Sequence, residues 1–144
     1  MARKRIAAAD LGIDIESGSE REVFKWFLAS FLFGKRISQS VAARAYDVIV
    51  NQHGRDTPGK IRRCSWQQLV DMLGEGHYRR YDESTAERLL LMADKLEKDY
   101  GGRLERLRDA SRNRSELKQR LLEFKGVGPK TVEIFLREAA KAGY

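Results

Sequence analysis

Apolar residues recur along nearly the whole chain at three- and four-residue spacing, and no stretch alternates as a half-buried strand would. The densest run is Val23, Phe24, Trp26, Phe27, Leu28, Phe31, Leu32 and Phe33. It is apolar almost all round, which predicts a central buried helix over residues 20–33. Ser19, with Glu22 three positions on, reads as a capping box at its start. Gly34 stops it, ahead of Lys35 and Arg36. Ser38 suits the N-cap of a second helix over residues 39–52, with Val41, Ala42, Ala45, Tyr46, Val48 and Ile49 on its inner face.

Residues 53–63 read as a loop punctuated by Gly54, Pro58 and Gly59. Ser65 with Gln68, and Ser84 with Glu87, are two further capping boxes. The first opens a short helix to Gly74, the second a long one to Tyr100, which Gly101 and Gly102 end. Leu104 and Leu107 suit one more short helix. Ser115 then caps a helix carrying Leu117, Leu121, Leu122 and Phe124. Gly126 and Gly128 form a turn, and Pro129 opens a last helix striped by Val132, Phe135, Leu136 and Ala139. The sum is an all-α fold: a single compact domain over residues 19–144, of about six or seven helices, ending in a helix-hairpin-helix at residues 115–142. Residues 1–18, with Arg3, Lys4 and Arg5, form either a flexible basic N-terminal arm or a short helix lying on that domain.

Composition narrows the partner. A net charge of +7 favours a polyanion. Cys64 is the only cysteine, so neither an intrachain disulfide nor a cysteine-ligated iron–sulfur cluster can be built, and a buried apolar role suits it. His53 and His77 have no ligand-like spacing, and no metal site follows from them. The most apolar run contains Lys25 and is too short for a bilayer. Residues 1–10 lack a signal-peptide core, and a soluble cytoplasmic protein is the expectation.

The candidate chemistry lies in the hairpin. A helix that starts on Gly126-Val127-Gly128 presents amides without acceptors, and the positive end of its dipole, to an anion. Lys125 and Lys130 flank that turn, and the natural guest is the phosphate of a nucleic-acid backbone. The plainer alternative is a glycine-rich turn with solvated lysines. A second basic cluster, Arg55, Lys60, Arg62 and Arg63 against Asp56, is either a phosphate-contacting rim or solvated loop charge.

The run Leu121-Leu122-Glu123-Phe124-Lys125-Gly126-Val127-Gly128-Pro129-Lys130-Thr131 resembles the DNA-gripping hairpin of the helix-hairpin-helix (HhH-GPD) DNA glycosylases related to endonuclease III. The order of elements from Glu20 to Ala142 is similar to the six-helix domain of that superfamily. The resemblance implies a base-excision-repair protein of the DNA glycosylase/AP lyase kind, working on double-stranded, damaged or abasic DNA at the nucleoid. It places Lys130 where bifunctional members carry the Schiff-base nucleophile. Lys35 falls near the residue that fills the gap left by a flipped base. Lys125, Gly126, Val127, Gly128, Lys130 and Thr131 become the DNA-binding residues, with a monovalent cation at the turn carbonyls as the implied ion.

Three departures accompany the likeness. No residue matches the family's catalytic aspartate, since Glu133 and Glu138 lie on the hairpin helix itself. The four-cysteine cluster loop has no counterpart. The second helical wall of the cleft is not matched either, which leaves room for a second copy or a partner protein to complete it. Three functions therefore stand side by side: a lyase acting through Lys130, a non-catalytic DNA-binding module, and a helical protein–protein module whose basic surface is incidental.

Overall fold

The structure, a computed structural model, describes residues 5–144. Among these residues it is all-helical, with eight α-helices and several short 3-10 turns. The helices are α1 (Glu20–Phe33), α2 (Gln39–Tyr46), α3 (Pro58–Arg62), α4 (Trp66–Glu75), α5 (Asp82–Tyr100), α6 (Leu104–Ala110), α7 (Arg114–Leu122) and α8 (Pro129–Ala139). None is long and apolar enough to cross a membrane.

α1 is the core. Ten of its 14 residues are buried, so it is enclosed on every side rather than along one stripe. α2 and α8 lie against it, while α5 holds α3 and α4 on the other half of the molecule. The Phe27 ring meets Phe124 and Phe135 edge-on, with centroids 5.6 and 5.2 Å apart. The Trp26 indole N–H donates to the Phe135 carbonyl at 3.1 Å. The central helix thereby holds the hairpin turn and α8.

Several element boundaries differ from the sequence reading, each for a local reason. Residues 53–63 are not wholly loop: Thr57 accepts from the Lys60 amide, and Pro58 at the first helical position starts α3. The second predicted helix does reach Gln52, but residues 47–52 wind as a π-helix. The wider turn rotates the register, so Val48, Ile49 and Val50 are all buried.

Capping is also redistributed. Ser19 caps α1 without a side-chain hydrogen bond; Glu22 instead accepts from the Asp14 amide at 2.9 Å and pairs with Lys25 at 2.7 Å. α5 begins at Asp82, two residues before Ser84, on a left-handed Tyr81. α7 is capped by Asn113 rather than Ser115, its side chain accepting from the Glu116 amide at 2.9 Å. The Ser38 cap and the Ser65 box form as the spacing predicts.

The N-terminal segment lies on the domain. It makes two 3-10 turns, Ala8–Leu11 and Ile15–Ser17, and buries Ala8, Ile13 and Ile15. The Ile6 amide donates to Gln39 on α2, and the Ala8 amide to the buried Glu138 on α8. Arg3 and Lys4 of the basic stretch lie outside the described residues.

One joint sets the position of the hairpin. Gly34, at the end of α1, lies so close to Thr131 that a Cβ there would collide with the threonine Oγ1. Gly34→Ala should destabilise the fold by about 1–3 kcal/mol. Combining it with Thr131→Ala should recover part of that loss, since the colliding oxygen is gone. Midpoints of urea unfolding for the two single variants and the double variant measure the coupling.

Candidate nucleic-acid interface at the hairpin

α7 and α8 are joined by residues 123–128, and the apolar side chains of that turn face inward. Phe124 and Val127 are buried, the Val127 amide donating to the Phe124 carbonyl at 3.0 Å. Gly126 has φ 89°, a left-handed conformation that a side chain would strain. A Cβ on it would also come within 2.7 Å of Arg88 Cδ and 3.1 Å of Phe31 Cζ. Gly128 differs: its backbone is extended, and nothing lies within 4 Å of a Cβ built there.

No side chain caps α8. Its ladder begins with the Val132 amide donating to the Gly128 carbonyl at 3.1 Å. The Lys130 and Thr131 amides, in the first turn, have no intrahelical acceptor by geometry. Pro129 supplies the fixed φ of the first position and has no N–H to satisfy. These amides and the helix dipole face a shallow mouth of about 450 Å³, lined by Gly34, Lys35, Arg88 and residues 126–131.

Lys35 is half-buried. Its Nζ donates to the Gly126 carbonyl at 2.8 Å and lies 4.8 Å from the centroid of the Phe31 ring. Burial, and then the positive charge of Arg88, hold its pKa below the usual lysine range. The amine therefore braces the turn from beneath while adding charge to the mouth, and it already engages one of the turn carbonyls. Arg88 is the residue the sequence reading missed. It sits mid-way along α5 among ordinary exposed charges, 38 positions before Gly126, and no local pattern marks it.

The predicted residues divide into three groups. Lys35, Gly126, Gly128 and Lys130 surround the mouth. Val127 and Thr131 contribute backbone there while their side chains are buried, Thr131 against Gly34. Lys125 is exposed beside the turn but does not line the mouth. Lys130 is exposed and also lines a second concavity of about 470 Å³, with Phe33, Ile37 and Ile134 as its apolar wall. The basic residues near α3 stay apart from the hairpin. Lys60 pairs with Asp56 and Arg62 with Asp94, and none of that cluster lines the mouth.

The remaining candidates have structural partners. Cys64 is buried, its thiol 3.6 Å from the Lys60 carbonyl, and burial pushes its pKa up. His53 pairs with Glu75 at 2.8 Å on the surface. No family model, curated protein or solved structure matches the chain.

The two turn glycines give opposite expectations. Gly126→Ala should cost about 1–3 kcal/mol in stability, from its positive φ and the approach to Arg88. Gly128→Ala should leave stability within about 1 kcal/mol of the parent. It should nevertheless weaken anion binding, because the new methyl group occupies open space at the mouth. Urea unfolding and duplex-DNA anisotropy, run on both variants, separate the effects.

Proposed function

We propose that this protein binds double-stranded DNA by holding a backbone phosphate at the N-terminus of α8. The observation that supports this most directly is an uncapped helix start ringed by Lys35, Arg88 and Lys130. Backbone amides and cation side chains read phosphate rather than base identity, so the grip positions the protein without choosing a sequence. The net charge of +7 draws the chain to a polyanion from a distance. The work of such a protein is at the nucleoid, in base-excision repair.

Within that reading Lys130 is the candidate nucleophile. Its amine would attack C1′ of an open-chain abasic sugar and expel water to give an imine. Loss of the C2′ proton would then eject the 3′-phosphate, and water would release the lysine. The hairpin would serve this step by fixing the sugar near the amine, in or beside the concavity that Lys130 shares with Phe33 and Ile134. Closing that concavity over a sugar calls for a further surface, from a second copy or a partner protein.

The non-catalytic reading has its own support. Lys130 is exposed, so nothing among the described residues strips water from its amine. No acid matches the one that base hydrolysis requires in the resembling family. On this view the hairpin grips DNA and the chemistry belongs elsewhere.

Binding to a labelled duplex should weaken as salt rises, with a log–log slope of about −2 to −3 for two or three neutralised phosphates. A slope near zero would remove the DNA reading. Borohydride reduction with abasic DNA decides between the two functions. A covalent adduct from the parent, absent from Lys130→Ala, establishes the lyase; no adduct from the parent leaves the binding module.

A further inference from the structure

We propose that the groove between α7 and α8 is a docking surface for an acidic, amphipathic segment of a partner protein. The groove has a volume of about 450 Å³ and shares only Pro129 with the hairpin mouth. Its first wall is written at helical spacing. Arg114, Lys118 and Leu122 occur four residues apart, so they form one stripe along α7. Leu122 is 42% exposed, whereas its neighbour Leu121 is fully buried in the core. Exposed Leu122 and Pro129, with the edges of the buried Val132 and Leu136 between them, give the groove an aliphatic floor.

The rim supplies the argument for the occupant. Arg114 and Lys118 stand on one side, with Arg5 and Arg137 completing the cationic lining. Glu133 is the single carboxylate among the lining residues. The acid on α7 does not neutralise its stripe, because Glu116 is taken by Arg112 and Arg120. Four cations around an aliphatic floor complement carboxylates flanking large aliphatic side chains, the pattern of an amphipathic acidic helix laid in a groove.

Other occupants fit less well. Among the described residues no aromatic ring lines the groove, so single-stranded bases find nothing to stack on. A duplex backbone would engage the cations and leave the aliphatic floor uncovered, whereas an acidic amphipathic helix covers both. A second copy carries the same +7 and would bring like charge to a cationic rim.

The test pans a random peptide library, displayed on phage, against the immobilised 144-residue chain. The enriched sequence is then synthesised with a fluorophore for anisotropy. The expected enrichment combines Asp or Glu with Leu, Ile or Met. Lys118→Glu and Leu122→Ser should each weaken the labelled peptide by about tenfold. Both positions are exposed, and an unchanged melting temperature shows that the fold is intact. Duplex affinity should be retained in Leu122→Ser, which separates this surface from the hairpin mouth.

Four results would overturn the proposal. The library could yield no enrichment above the bare support. Enriched peptides could lack acidic residues. Both variants could bind the peptide as the parent does. Sedimentation could show self-association that Leu122→Ser abolishes, which would assign the groove to a second copy.

Discussion

The structure depends on one aromatic contact, the Phe27 ring of α1 wedged edge-on between Phe124 and Phe135. Phe124 lies in the hairpin turn and Phe135 on α8, so a single central side chain ties both the turn and the second arm to α1. Each such edge-on pair contributes about 0.5–1.5 kcal/mol beyond the area it buries. The Trp26 indole adds direction, because its bond to the Phe135 carbonyl fixes the rotation of α8 about its own axis. Phe135 in turn meets Tyr144 at 5.8 Å, which draws the end of the chain into the same stack.

The hairpin is therefore held from behind by apolar packing and braced from the side by charge. Lys35 leaves solvent to bind the Gly126 carbonyl, and Arg88 approaches the same glycine from α5. Two cations beside one turn repel each other. The carbonyl compensates for part of that repulsion and the Phe31 ring for another part. In the proposed complex an incoming phosphate would relieve the remainder. The glycine contacts divide the labour further. Gly34 and Gly126 are demanded by neighbours, whereas Gly128 leaves space at the mouth.

Capping shows the limits of local reading most clearly. The Ser38 and Ser65 caps were legible because donor and acceptor lie within one turn of each other and nothing competes. Glu22 has the right spacing for Ser19 but is drawn to the Asp14 amide, eight residues back and outside the one-turn capping motif. Conversely, α6 has no cap of its own. Its first amides, on Leu104 and Glu105, are satisfied by Glu20 at 2.8 and 3.0 Å, 84 and 85 residues away. Burial raises the pKa of that carboxyl despite the two bonds, the cost of placing a charge at a helix junction.

The sequence alone determined that the chain is helical, that residues 20–33 are its centre, and that a glycine-bounded turn opens the last long helix. These follow from periodicity and turn chemistry, which act between residues a few positions apart. Only the tertiary structure decided which side chains surround that turn. It brought Arg88 from α5, turned Lys35 inward onto a carbonyl, buried Thr131 against Gly34, and left Leu122 facing outward beside Arg114 and Lys118. The physical reason is one of range. A helix propensity is settled within its own turns, but the charge and exposure of a site are sums over every element packed around it.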